Sequence, residues 1–190
     1  MHVLRGDGGW LQSWYAYDSV CACLIDDVRC WLDRLLSLGP SYGYFPEPCK
    51  SYLVVAPRYV GLASDVFAGL GITIVSGHPF LGGLIGEPEH CEELLQRKVT
   101  DWVHSVHALA SVAKKSPQAA FAAVVKSLQF EWSYVQRVVD GCGSLLQPLR
   151  SAIATTFFPA MFDGDVSDLE AAMFFSPARM GGLGIRDPVE

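Results

Sequence analysis

In the stretch WYAYDS, residues 14–19, an aspartate follows directly on a tyrosine, with apolar residues on either side. A carboxylate at the tip of a tight turn presents a rigid anionic oxygen, the donor that a hard cation such as Mg²⁺ prefers. Asp18 is therefore a candidate, weak metal ligand, and it is equally a residue that turns favour for their own backbone chemistry. His104 and His107 stand three apart in a helical pattern, which sets two imidazoles side by side, but no third ligand follows at a suggestive spacing. Six cysteines, at 21, 23, 30, 49, 91 and 142, form none of the CxxC pairs of a zinc site. They read as buried or incidental free thiols of a reducing compartment. Lys98, Lys114, Lys115 and Lys126 are the candidates for contact with phosphate.

The charge distribution places those lysines in context. The chain of 190 residues has a formal charge of −6, which argues against a globally basic nucleic-acid binder. Between Leu94 and Arg150, however, seven basic residues face three acidic ones, a local surplus of four positive charges. A helical segment with that surplus suits a phosphate backbone, and it also suits a solvated helix surface. With 51% apolar and 18% charged residues the chain is globular. It has no apolar run of the length a membrane helix needs and no basic-then-apolar leader, so an intracellular protein, cytoplasmic or nuclear, is expected.

The elements that must position these groups follow from periodicity. WLQSWYA and SVCACL, around a turn near Tyr17-Asp18, predict a hairpin over residues 10–24. Val28, Trp31, Leu32, Leu35 and Leu36 recur at three and four, predicting a helix from about Asp26 to Leu38, stopped by Gly39-Pro40. A Gly-, Pro- and Tyr-rich loop leads to a strand in SYLVVA, then a helix from Pro57 to about Gly69, then strands around ITIV and FLGGLIG. After Gly86 the pattern changes. Leu95, Val99, Trp102, Val106, Leu109 and Ala113 mark one face of a long amphipathic helix, which assigns Trp102 to the core. Further helices are expected from Pro117 to about Asp140, from about Ser144 to Thr156, and over 166–174. ARMGGLGIRDP closes the chain as a glycine-rich loop, with no strand–loop–helix unit that would make it a phosphate cradle. The expectation is an α+β fold in two parts, 1–86 with strands and helices and 87–190 all-helical.

These segments carry a resemblance. WYAYDS resembles the tyrosine-any-aspartate-aspartate hairpin of reverse transcriptases, commonly YADD in retrotransposons. GPSYGYFPEPCKSYLVV resembles the segment in which that family places a Lys-Ser or Lys-Thr pair before a strand. HPFLGGLIG resembles its Leu-Gly strand pair that grips the primer end, and SPQAAFAA and FFSPARMGGLGIRDP resemble its helical, thumb-side region. The five occur in the family's order from about residue 12 to residue 188. The resemblance implies a partial palm of antiparallel strands with helices, followed by a thumb. It implies Lys50 near the phosphates of an incoming nucleotide, Phe80, Leu81 and Gly82 against a primer strand, a primer–template partner, and Mg²⁺ as the family's cofactor.

The departure from the family falls at the metal site. Polymerases of this type use two divalent cations to align the attacking and leaving oxygens. In the resembled family the first aspartate of the pair, with one from an earlier strand, supplies most of the binding. Here Tyr17 stands in that first position and only Asp18 remains. A phenol with an ordinary pKa of about 10 is neutral near pH 7 and offers no charge to a cation. Ahead of the hairpin the acidic residue is Asp7, in RGDGG, which does not resemble the earlier motif. The expectation is a retroelement fragment without fingers or the first metal-binding strand, inactive as an isolated chain and binding no Mg²⁺ tightly. The rival expectations are a non-catalytic nucleic-acid-binding module and a helical interaction scaffold, whose exposed sheet edges the missing polymerase half or another protein covers.

Overall fold

The computed structural model describes residues 11–15 and 18–190. Helices and strands are mixed in the order the α+β expectation required, and the chain divides into two compact units, Met1–Ser76 and Gly77–Glu190. The division falls ahead of the change in composition at Gly86, so the strands of residues 77–86 belong with the helices that follow them.

In the first unit, β1 (Leu11–Tyr15) and β2 (Asp18–Ala22) pair antiparallel from Leu11↔Ala22 to Tyr15↔Asp18. Asp18 thus opens the second strand instead of sitting within the turn, and Ala16 and Tyr17 lie outside the described residues. Helix α1 (Ile25–Leu38) buries Trp31, Leu32 and Leu35, three of the five residues whose spacing announced it. Val28 and Leu36 pack partly buried against the same cluster, with Phe67 as its fourth buried member. A turn of 3-10 helix at Pro48–Lys50 precedes β3 (Tyr52–Val54), and helix α2 (Val60–Val66) leads to β4 (Thr73–Val75). β3 and β4 run parallel, from Tyr52↔Thr73 to Val54↔Val75. The palm's strands were expected to be antiparallel, and this pair is not: a helix between two strands carries the chain back to the same end, which makes parallel pairing the natural outcome.

In the second unit, the strand expected around FLGGLIG is the second half of a hairpin. β5 (Gly77–Phe80) and β6 (Gly83–Gly86) pair antiparallel, with Phe80 opposite Gly83. The long helix α3 (Pro88–Ala113) begins with Pro88 in its first turn, where a missing N–H is tolerated, and runs with Leu95, Val99, Trp102, Val106, Ala110 and Ala113 buried. Against it pack α4 (Pro117–Ala123), α6 (Gln147–Ala152) and α7 (Phe158–Phe162), while α5 (Gln129–Val138) reaches it through Glu131. Short π-helical segments, Val124–Leu128 and Ile153–Phe157, join α4 to α5 and α6 to α7. Val124, Leu128 and Trp132 lie on the core side through the first of these. Helix α8 (Asp168–Phe175) starts with a reciprocal capping box between Ser167 and Glu170. No helix among the described residues is long and apolar enough to cross a membrane.

The closing segment is a strap across α5. Ile185 is fully buried, the Arg186 N–H donates to Gln129 Oε1 at 3.1 Å, and Gln136 Nε2 donates to the Pro188 carbonyl at 2.9 Å. Arg150 and the nearly buried Asp187 pair at 2.8 Å. A Cβ at Gly182 would collide with the Ser176 carbonyl oxygen, so this glycine marks close backbone packing and not a phosphate cradle.

Candidate functional site

The first hairpin holds its position through its inner face. Gln12 and Trp14 of β1, with Ser19 and Cys21 of β2, are half-buried, as alternation along paired strands requires. Trp31 Nε1 donates to Gln12 Oε1 at 3.1 Å, the Trp14 and Tyr44 rings meet edge-on at 5.2 Å, and Ser19 Oγ is 3.0 Å from Tyr44 Oη. Asp18 is exposed at the tip end of β2. Among the described residues no three His, Cys, Asp or Glu side chains converge on a point that a cation would occupy. A lone exposed carboxylate does not supply the anionic oxygens that Mg²⁺ takes from protein and substrate together, so the described donor set does not fit the cofactor of the resembled family.

Lys50 closes the 3-10 turn before β3 and is solvent-exposed. Its ammonium sits 2.7 Å from Glu47 Oε2. That hydrogen bond, and then the charge of Glu47, hold the lysine above its ordinary range. No hydrogen bond or ion pair joins Lys50, engaged with Glu47, to the exposed Asp18, the two residues expected to share an active site.

Phe80, Leu81 and Gly82, by contrast, form one structural feature with residues that periodicity had not singled out. Leu81 has φ +47° and Gly82 φ +81°, the left-handed pair of a two-residue turn whose twist matches the strands. Glycine adopts this region freely, whereas leucine does so at a cost of about 1–2 kcal/mol. Tyr134 of α5 holds the turn: its hydroxyl donates to the Leu81 carbonyl at 2.7 Å, and a Cβ at Gly82 would lie 2.9 Å from its ring. One turn of helix to either side, Phe130 and Val138 are exposed as well, at 49% and 44%. The Arg186 guanidinium lies 5.8 Å from the centre of the Phe130 ring. An exposed aromatic stripe, a strained leucine turn and a guanidinium therefore meet on one face of the second unit. The spacing 130, 134, 138 carried a signal, because three apolar residues one turn apart on the solvent side of a helix call for a partner surface, and Tyr134 and Val138 meet theirs in Gly82 and Gly83.

The lysines do not form one patch. Lys98 is half-buried with its ammonium 5.8 Å from the centre of the Trp102 ring, and Trp102 itself is core, donating from Nε1 to Glu131 Oε2 at 2.7 Å. Lys114 and Lys115 stand at the far end of α3, about 24 Å along the axis at 1.5 Å per residue. Lys126 is exposed in the first π segment. Lys114 lines an open groove with His107, Thr155 and Thr156, to which Asp163 and Asp165 also contribute, so the groove carries both signs of charge. His104 and His107 are both exposed on α3.

No protein-family model, curated protein or solved structure matches this chain.

Proposed function

We propose that the chain is a reverse-transcriptase-like fragment of retroelement origin, a partial palm followed by a thumb-like helical unit, that engages nucleic acid without polymerising it. The observation that carries this reading is the seating of the Phe80–Gly83 turn on α5. The segment whose sequence resembles a primer-gripping strand pair is a hairpin presented by a helical unit, and its tip lies against exposed Tyr134, one helical turn from exposed Phe130. Further support comes from the order of the other elements: a hairpin at 11–22, a Leu- and Trp-containing helix, and a lysine turn entering a strand.

Catalytic silence follows from the donor set. Phosphoryl transfer between nucleotides needs charge stabilisation at the attacking and leaving oxygens. Tyr17 brings none at neutral pH, and among the described residues no three His, Cys, Asp or Glu side chains gather to hold a cation. The 190-residue chain therefore gives no templated extension of a primer with Mg²⁺ or Mn²⁺, and Tyr17→Asp alone does not restore it. Robust synthesis by either protein overturns the assignment of inactivity.

A non-catalytic nucleic-acid-binding role is favoured by the aromatic stripe in particular. Exposed rings beside a guanidinium suit the faces of unpaired bases, worth about 1–3 kcal/mol per stacked base. Affinity for a primer–template with a single-stranded overhang falls as salt rises, and Phe130→Ala with Tyr134→Ala weakens it roughly tenfold or more. Absence of binding at low salt removes both the grip and the module.

A further inference from the structure

Cys21-Ala22-Cys23 ends the first hairpin and leads into α1. Residues two apart on a strand face the same side. Cys21 lies opposite Gln12 and packs against the cluster around Trp31, and Cys23 follows one residue past the end of the strand. Their sulfurs are 3.5 Å apart. Among the described residues no other two cysteine sulfurs are hydrogen-bonded. Two residues of strand span about 6.6 Å between Cα atoms, within the range of roughly 4.4–6.8 Å that a disulfide accepts. Bond formation therefore asks the sulfurs to close from 3.5 Å to about 2.05 Å, with the backbone adjusting at Ala22.

We propose that Cys21 and Cys23 are a reversible dithiol–disulfide couple, a modification site for peroxide oxidants. The roles of the two sulfurs differ. Burial, the hydrogen bond with Cys23 and the charges of Cys23 and Asp27 push the Cys21 thiol up to about 12, so Cys21 keeps its proton at neutral pH. The first attack is assigned to Cys23, which lies one residue past the end of the strand. Its thiolate takes one oxygen from hydrogen peroxide as the O–O bond breaks, and the departing hydroxide is protonated to water. The Cys21 sulfur then displaces the hydroxyl of the Cys23 sulfenic acid, and its proton leaves with that hydroxyl as a second water. Two thiols lose two electrons in total and one peroxide gains them. An added dithiol reverses the bond by exchange. Because Ala22 makes the last pair of the hairpin, with Leu11, closing the ring acts on that pair and on the entry to α1.

The test uses the whole reduced chain, treated with hydrogen peroxide, alkylated and cut with trypsin. The peptide Gly6–Arg29 contains both thiols and no other cysteine. The expected product is this peptide lighter by two hydrogens and free of alkyl groups, returning to the doubly alkylated form after dithiothreitol. In Cys23→Ser, Cys21 stays reduced and takes its alkyl group. Two results overturn the proposal: Gly6–Arg29 remaining doubly alkylated while other cysteines oxidise, or disulfides from Cys21 or Cys23 to a different cysteine. Equal rates of closure in folded and urea-unfolded chain also overturn it, since the fold would then contribute nothing.

Discussion

The β1–β2 hairpin rests on a small core whose buried members are Trp31, Leu32, Leu35 and Phe67, and polar contacts do much of the holding. The β5–β6 hairpin rests on a unit in which Trp132, Phe157, Phe158, Leu146 and Ile153 are fully buried, and its tip is fixed by one tyrosine from α5. Both hairpins read as polymerase motifs in the sequence, and both are two-stranded ribbons that are marginal without support. The second can hold a leucine in a left-handed turn because a deep core anchors the helix that grips it. The first has no comparable reserve, and its geometry depends on a few side chains that meet between the strands, α1 and Tyr44. A locally unfavourable residue is thus a sign of where tertiary structure is strongest.

The sharpest way to break this comparison is at Trp31. Trp31→Ala removes the centre of the small core and the donor to Gln12, at a cost of about 3–5 kcal/mol. Hydrogen exchange is expected to accelerate at the amides of β1 and β2 while those of β6 keep their protection. Uniform loss in both hairpins would show that the two units melt together. Gly82→Ala comes next: a left-handed alanine driven against the Tyr134 ring destabilises by about 1–3 kcal/mol, read as a lower denaturant midpoint. Tyr134→Phe keeps the ring and loses only the bond to the Leu81 carbonyl, an expected cost of about 1 kcal/mol in the same titration. Leu81→Asn should stabilise by about 1 kcal/mol, since asparagine accepts the left-handed region and Asn-Gly suits this turn. If Leu81→Asn also lowers affinity for nucleic acid, the exposed leucine serves binding and not folding. The smallest effect belongs to Lys50. Its raised range means that its pairing with Glu47 is fully present at neutral pH and is lost only as pH rises through the raised value. The pair is solvent-screened, so Lys50→Met leaves Tm unchanged to within about 1 °C.

Several features were legible because they are local. The spacing of Val28, Trp31, Leu32, Leu35 and Leu36 announced α1, and the stripe from Leu95 to Ala113 announced α3 and the burial of Trp102. The first hairpin was legible from two apolar runs around a polar turn, to within one residue of its register. The stretch Phe80 to Gly86 was harder. Periodicity gave no turn there, because the fold-back at Leu81-Gly82 uses a residue that turns disfavour, and the strand pair was legible only through the resemblance. The candidate site was legible only in part: Phe80, Leu81 and Gly82 were found by resemblance, whereas Tyr134, Phe130 and Arg186 were not. Their role depends on contacts spanning some fifty residues of chain, between positions 81 and 134 and between 130 and 186. The lysines illustrate the opposite failure. Their surplus of charge is a property of composition, and the length of α3 separates what the sequence brings near.

What the residue order determined by itself was the list of elements, the apolar face of each helix and the chemical identity of positions 17 and 18, a phenol followed by one carboxylate. Each of these depends on neighbours within a turn or a strand, which is the range over which backbone sterics and side-chain periodicity act. Only the tertiary structure decided that β3 and β4 lie parallel, that Gly182 is demanded by a passing carbonyl, that two cysteine sulfurs lie within reach of a bond, and that a tyrosine far along the chain holds Leu81 in its turn. Those outcomes follow from packing, in which the free energy of a contact is set by which surfaces the whole chain brings together and not by the distance between residues along it.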